Sequence, residues 1–167
     1  MWEKLGEKFE KYPARMKVAK KMIELGLSLN EDGKIYCGNL KINDKSLAAA
    51  ADVDRRAIKS TIEVIQNDSE LFNIFNNIIP AGTLLKNIAK SLNLGVIEIE
   101  VTSENENILS AVTRIISEKK VNIRQAYAED IEMEEYPLLT IITNDIVPAD
   151  TINEFLKIKG VNKVSIY

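Results

Sequence analysis

The stretch LAAAADVDRRAIKSTI, residues 47–62, joins an alanine run to two adjacent arginines and an apolar stripe at helical spacing. Asn43 or Asp44 is placed to cap a helix over 46–51, the chain closes at Asp52-Val53, and Asp54 is placed to cap a further helix over 55–66. Such side chains accept hydrogen bonds from the free N–H groups of a first helical turn. On a wheel of about 100° per residue, Ile58, Thr61, Ile62 and Ile65 share one face, while Arg56, Lys59, Ser60, Glu63 and Gln66 form the opposite arc. Arg55 sits at the edge of that arc. Two cations in a first turn are electrostatically misplaced, because a helix N-terminus carries partial positive charge. Either Asp52 and Asp54 offset them locally, or an external anion does, since N-terminal amides with arginines make an anion site.

Outward from this stretch the chain divides by period. Residues 2–12 predict a short charged helix stopped before Pro13, which opens a second helix. There Val18, Met22 and Leu25 form the stripe opposite Lys17, Lys20, Lys21 and Glu24, and Gly26 ends it. SLNEDGKIYCGNLKI (28–42), punctuated by Asp32-Gly33 and Gly38-Asn39, predicts a small hairpin. Asp68 and Ser69 open a helix with Leu71, Phe72 and Phe75 inward. Pro80-Ala81-Gly82 separates it from a last helix carrying Leu85, Ile88, Ala89 and Leu92, and Asn93-Leu94-Gly95 closes the helical half.

From Val96 the period changes to two. VIEIEV alternates apolar and acidic residues, and residues 106–120 place Ile108, Val112, Ile115 and Ile116 on one helical face. Residues 121–132 and 137–145 read as two strands joined by an acidic turn. PADTINEFLKIKG (148–160) reads as a helix with Ile152, Phe155 and Leu156 inward, and VNKVSIY (161–167) as a closing strand. The order βαββαβ, with handed crossovers over one sheet, predicts a ferredoxin-like sandwich with two helices on one face. The fold class is therefore α+β.

Composition narrows the chemistry. The 167 residues hold no histidine and one cysteine, Cys37, which removes zinc sites, Ser-His or Cys-His catalysis and an internal disulfide. The net charge of −3 conceals an asymmetry, with +3 over residues 1–90 and −6 over 91–167. The front half is thus the anion-seeking one, although the acidic total argues against indiscriminate nucleic-acid binding. The charged start lacks the apolar region of a signal peptide, and no run is apolar enough to span a bilayer, so the chain is read as cytoplasmic. The acidic residues Glu129, Asp130, Glu132, Glu134 and Glu135 lack the ligand spacing and central glycine of a calcium loop and read as a solvated turn. PAGTLLK (80–86) lacks the glycine run and Lys-Ser/Thr pair of a phosphate loop.

The residues Leu47, Ala48, Val53, Asp54, Ile58 and Ile62 resemble the helix-turn-helix pattern of bacterial and archaeal DNA-binding domains. In that family the alanine lets two helices approach, the valine buries the turn, and outward side chains of the second helix enter the major groove. The resemblance assigns DNA contact to Arg55, Arg56, Lys59 and Ser60. Asp52 stands where glycine usually occupies the turn, and Ala57 where threonine or serine often meets the backbone. Aspartate tolerates the left-handed conformation better than most residues.

Residues 95–167 resemble an ACT domain by element order and by the apolar positions of GVIEIEV and ENILSAVTRII. The family loop after the first strand commonly reads D-R-P-G-L-L and holds an amino acid. By analogy the ligand site here is Asn105, Glu106, Asn107, Ile108 and Leu109, with Asn107 in place of glycine. The layout is thus a helix-turn-helix domain over 1–67, a helical connector over 68–94 and an ACT-like regulatory domain over 95–167. It resembles archaeal regulators of amino-acid metabolism. The resemblance implies an amino-acid-responsive transcriptional regulator that binds double-stranded DNA as a homodimer or higher homo-oligomer. No cofactor, metal, membrane or catalytic step is implied. The alternative is an effector-binding regulatory or scaffold partner of a metabolic enzyme without DNA binding, which the acidic total and Glu63 on the outward arc favour.

Overall fold

The structure is a computed structural model that describes residues 2–102, 107–132 and 134–167, with side chains from residue 5 onward. It is an α+β chain with two antiparallel sheets, divided into a unit Met1–Gly82 and a unit Thr83–Tyr167. Among the described residues no helix is long and apolar enough to cross a membrane.

The first unit runs α1 (Trp2–Phe9), α2 (Pro13–Glu24), β1 (Leu27–Leu29), β2 (Ile35–Cys37), β3 (Leu40–Ile42), α3 (Asp44–Ala50), α4 (Arg55–Gln66) and α5 (Ser69–Asn76). Where a small hairpin was expected, β1, β2 and β3 form a three-stranded meander, with pairs Leu29–Ile35 and Cys37–Leu40 beside its two turns. One core joins all eight elements except β3, which contributes the half-buried Ile42. Leu5, Phe9, Val18, Met22, Leu29, Ile35, Leu47, Ile58, Ile65, Leu71 and Phe75 are buried there. Each such side chain contributes roughly 1.5–3 kcal/mol of burial. Gly26 stops α2 at a φ of +63°, and a Cβ there would lie 2.7 Å from the Pro80 Cα. Only glycine fits both the left-handed backbone and that approach.

The second unit contains β4 (Gly95–Val101), α6 (Ile108–Glu118), β5 (Ile123–Ala128), β6 (Leu138–Thr143), α7 (Thr151–Phe155) and β7 (Val161–Ile166). Its antiparallel sheet has the order β5-β6-β4-β7, so each helix links two strands that flank a third. Ile108, Val112 and Ile116 of α6 and Phe155 of α7 pack against Ile97, Ile99, Leu139 and Ile141, which places both helices on one sheet face. Lys119 and Glu154 join them at 2.5 Å.

α5 belongs to the core of the first unit, and residues 83–94 pack in the second. Two expectations need correction. The helix expected around Leu85–Leu92 is instead two 3-10 turns, Lys86–Ile88 and Lys90–Leu92. Anchoring to the sheet's other face explains this. The Gln125 amide accepts from the Leu85 N–H at 3.0 Å and donates to the Thr83 carbonyl at 2.8 Å, Lys86 pairs with Glu98, and Ala89 and Leu94 are buried against Val96 and Ile142. Finally, Leu156 does not face the core, because it lies about 100° round the helix from Phe155 at the end of α7. Thr151 and Phe155, at i and i+4, face the core, while Leu156 is 46% exposed.

Candidate nucleic-acid interface

The turn between α3 and α4 is built by its own backbone. Asn43 caps α3, its side chain accepting from the Ser46 N–H at 2.8 Å. At the far end the Val53 N–H reaches the Ala48 carbonyl at 3.0 Å and the Asp52 N–H reaches Ala49 at 3.3 Å. This paired bonding past a helix end needs a left-handed residue at its centre. Asp52 takes that conformation, at a φ of +51°. Asp54 then caps α4 by accepting from the Arg56 N–H at 2.8 Å. Ala48 and Ala51 are buried where α3 meets α4, whereas Ala49 and Ala50 are exposed.

Behind α4 the frame is closed on two sides. Ile58, Thr61, Ile62 and Ile65 are buried as the wheel predicts, and Thr61 satisfies its hydroxyl by donating to the Ala57 carbonyl at 2.7 Å. The β1–β2 turn supports the C-terminal end. Gln66 donates to the Glu31 carbonyl at 2.8 Å, and a Cβ at Gly33 would lie within 3.1 Å of the Gln66 side chain.

The outward residues separate into two groups. Arg55 is paired with Asp44 at 3.5 Å, and the turn residue Asp52 with Lys17 of α2 at 3.7 Å. Both are exposed pairs that contribute about 0–1 kcal/mol. Arg56 and Lys59 are exposed, and among the described residues no carboxylate pairs with either. Glu63 is exposed on the same arc. Ser60, expected to contact DNA, is half-buried: its hydroxyl donates to the Ala57 carbonyl at 3.1 Å and accepts from Arg15 Nε of α2 at 3.2 Å. The sequence does not reveal this role of Arg15, because a single residue near the start of α2 gives no periodic signal for a contact 45 positions away.

The ligand loop is less complete. Asn105 and Glu106 lie outside the described residues. Asn107 is the N-cap residue of α6 at a φ of −121°, so no left-handed backbone is used where the ACT pattern has glycine. Ile108 is buried in the core and Leu109 is 49% exposed. A cavity of about 600 Å³ on the other sheet face is lined by Lys86, Lys90, Leu94, Val96, Ile146 and Tyr167, and by none of the loop residues.

No family model and no curated protein matches the chain. Among solved structures it is similar to AsnC of E. coli, at 14% identity over 78% of this chain and 81% of that one, with a TM-score of 0.27. It is also similar to the transcriptional regulator NMB0573 of Neisseria meningitidis in its complex with L-Met, at 11% identity over 92% of this chain and 86% of that one, with a TM-score of 0.25. Likenesses this low assign neither a family nor a function.

Proposed function

We propose that the chain is a cytoplasmic, dimeric transcriptional regulator in which α4 reads the major groove of duplex DNA and the ferredoxin-like, ACT-type second unit binds a small-molecule amino acid. No catalytic step forms part of this proposal. One observation carries it: the α3–α4 turn holds an outward arc on which Arg56 and Lys59 have no carboxylate partner among the described residues. Arg56 lies in the first turn of α4, where an unpaired cation raises the energy of the free protein, and Lys59 adds charge one turn on, so an incoming polyanion is favoured by both. The amino-acid part rests on the βαββαβ order and on the apolar positions of GVIEIEV and ENILSAVTRII, with the ligand placed at residues 105–109 by analogy. Twofold symmetry sets half-sites about 10 bp or a multiple apart.

Selection of bound genomic fragments, with and without an amino-acid mixture, tests both parts. The expected result is enrichment of near-palindromic fragments whose recovery changes with the mixture. Fragments recovered without sequence preference would contradict the groove-reading role. Exposed Glu63 on the reading arc supports a second reading, a regulatory or scaffold partner of a metabolic enzyme without DNA binding. Co-purification with one enzyme and no DNA retention at low salt would favour that reading.

A further inference from the structure

We infer that Arg15, Tyr12 and Ser60 form a clamp for a backbone phosphodiester of duplex DNA at the edge of the α4 arc, an inference that rests on the reading of α4 as a DNA-contacting helix. The Arg15 guanidinium is fixed on two sides. Its carbon lies 4.2 Å from the centroid of the Tyr12 ring, and its Nε donates to Ser60 Oγ at 3.2 Å. Ser60 is itself held, because its own hydroxyl hydrogen goes to the Ala57 carbonyl at 3.1 Å. Of the five guanidinium N–H donors one is therefore engaged, and the four on the two Nη atoms have no partner among the described residues. Neither does any described carboxylate neutralise the charge.

Two Nη groups in a fixed plane present the fork that takes two oxygens of a phosphate at once. Stacking and the Ser60 bond settle the side chain before a ligand arrives, so little of its rotamer freedom remains to be lost on binding. Placement points to DNA as the source of that phosphate. Ser60 follows Arg56 at i+4, so the two are neighbours on one side of α4, and Arg15 meets the helix there. Arg15, Arg56 and Lys59 are thus three cations that no described carboxylate pairs, with Glu63 the exposed acid on the same arc, and three such charges match a polyanion better than a single acid. Lys17 is not among these cations, because Asp52 holds it.

The test is fluorescence anisotropy of labelled duplexes, one selected for binding and one of random sequence, across a KCl series. Arg15→Gln keeps a donor for Ser60 and a side chain to lie on Tyr12, but carries no charge. It is expected to lower the slope of log affinity against log salt by about 1 and to weaken both duplexes equally, by about tenfold. Arg15→Lys retains the charge without the fork, so it is expected to keep the slope and recover only part of the affinity. Ser60→Ala leaves the charge in place and is expected to cost affinity without changing the slope. A loss confined to the selected duplex would overturn the phosphate assignment. Unchanged binding by Arg15→Gln and Ser60→Ala, alongside weakened binding by Arg56→Ala, would overturn the clamp and spare the function proposed above. Absence of duplex binding by the unaltered protein would overturn both. Should Arg15→Gln fail to fold, unchanged affinity in a folded Ser60→Ala would by itself overturn the clamp.

Discussion

On the outward arc of α4, Arg56 and Lys59 stand without carboxylates among the described residues, whereas in the second unit Lys86 is held by Glu98 and Lys119 by Glu154. The two paired lysines lie where an element must be fastened: Lys86 ties residues 83–94 to the sheet, and Lys119 ties α6 to α7. Hydrogen bonding to the glutamates raises the pKa of both lysines above the usual value. Cations that serve packing find a partner inside the fold. Those left unpaired on an exposed helix face gain no ion pair in the free protein, and their use lies with something that binds it.

The comparison depends on a rigid frame behind α4, and the largest expected effect comes from breaking that frame. Gly26→Ala places a Cβ 2.7 Å from the Pro80 Cα in a left-handed backbone, and should cost about 1–3 kcal/mol or more in urea unfolding. A loss below about 0.5 kcal/mol would mean that the contact relaxes freely. Next is the turn itself. Asp52→Val should cost about 1–2 kcal/mol through its left-handed φ, while Asp52→Gly should match or exceed the parent stability, because the lost Lys17 pair is exposed. Equal stability of the two variants would show that the turn changes conformation.

Two smaller changes sharpen the other side. Thr151 Oγ1 is buried with no partner among the described residues, so Thr151→Val should stabilise the second unit by about 1 kcal/mol in the same measurement. Destabilisation instead would mean that the hydroxyl is bonded. Because the folded pKa of Lys86 is raised above 10.5, its ion pair contributes fully below pH 10.5 and is lost as the pH climbs through the folded value. With Lys86 38% exposed but Glu98 buried, the pair has to be removed whole, so Lys86→Met combined with Glu98→Gln should remove less than about 1 kcal/mol at pH 8 and flatten the alkaline decline of stability. An alkaline limb identical to that of the parent would exclude this pair as its source.

How much was legible in the sequence follows from the range of each interaction. The α3–turn–α4 segment could be read residue by residue, because caps, turn and apolar stripe act over four or five positions: Asn43 and Asp54 cap, Asp52 turns, Ile58, Ile62 and Ile65 face inward. The alternation of VIEIEV also held, but its acidic face is not solvent. Glu98 is 9% exposed beneath residues 83–94, a covering that only the tertiary fold supplies. The same limit hid Arg15, whose contact with Ser60 spans 45 positions, and converted an expected helix over residues 85–92 into 3-10 turns pinned by Gln125 and Glu98. A helical pattern of apolar residues was present there, yet Ile88 and Leu92 are 46% and 48% exposed, since the sheet takes Ala89 and Leu94 instead.

The salt dependence of duplex binding by the Arg56→Ala/Lys59→Ala double variant tests the central claim most directly. The unpaired cations are predicted to carry the contact, so the slope of log affinity against log salt should fall by about 2 if both meet phosphates, or the selected duplex should lose about 1–3 kcal/mol for each residue that reads a base edge. A double variant that folds as the parent does and binds both duplexes with unchanged affinity and slope would contradict the account.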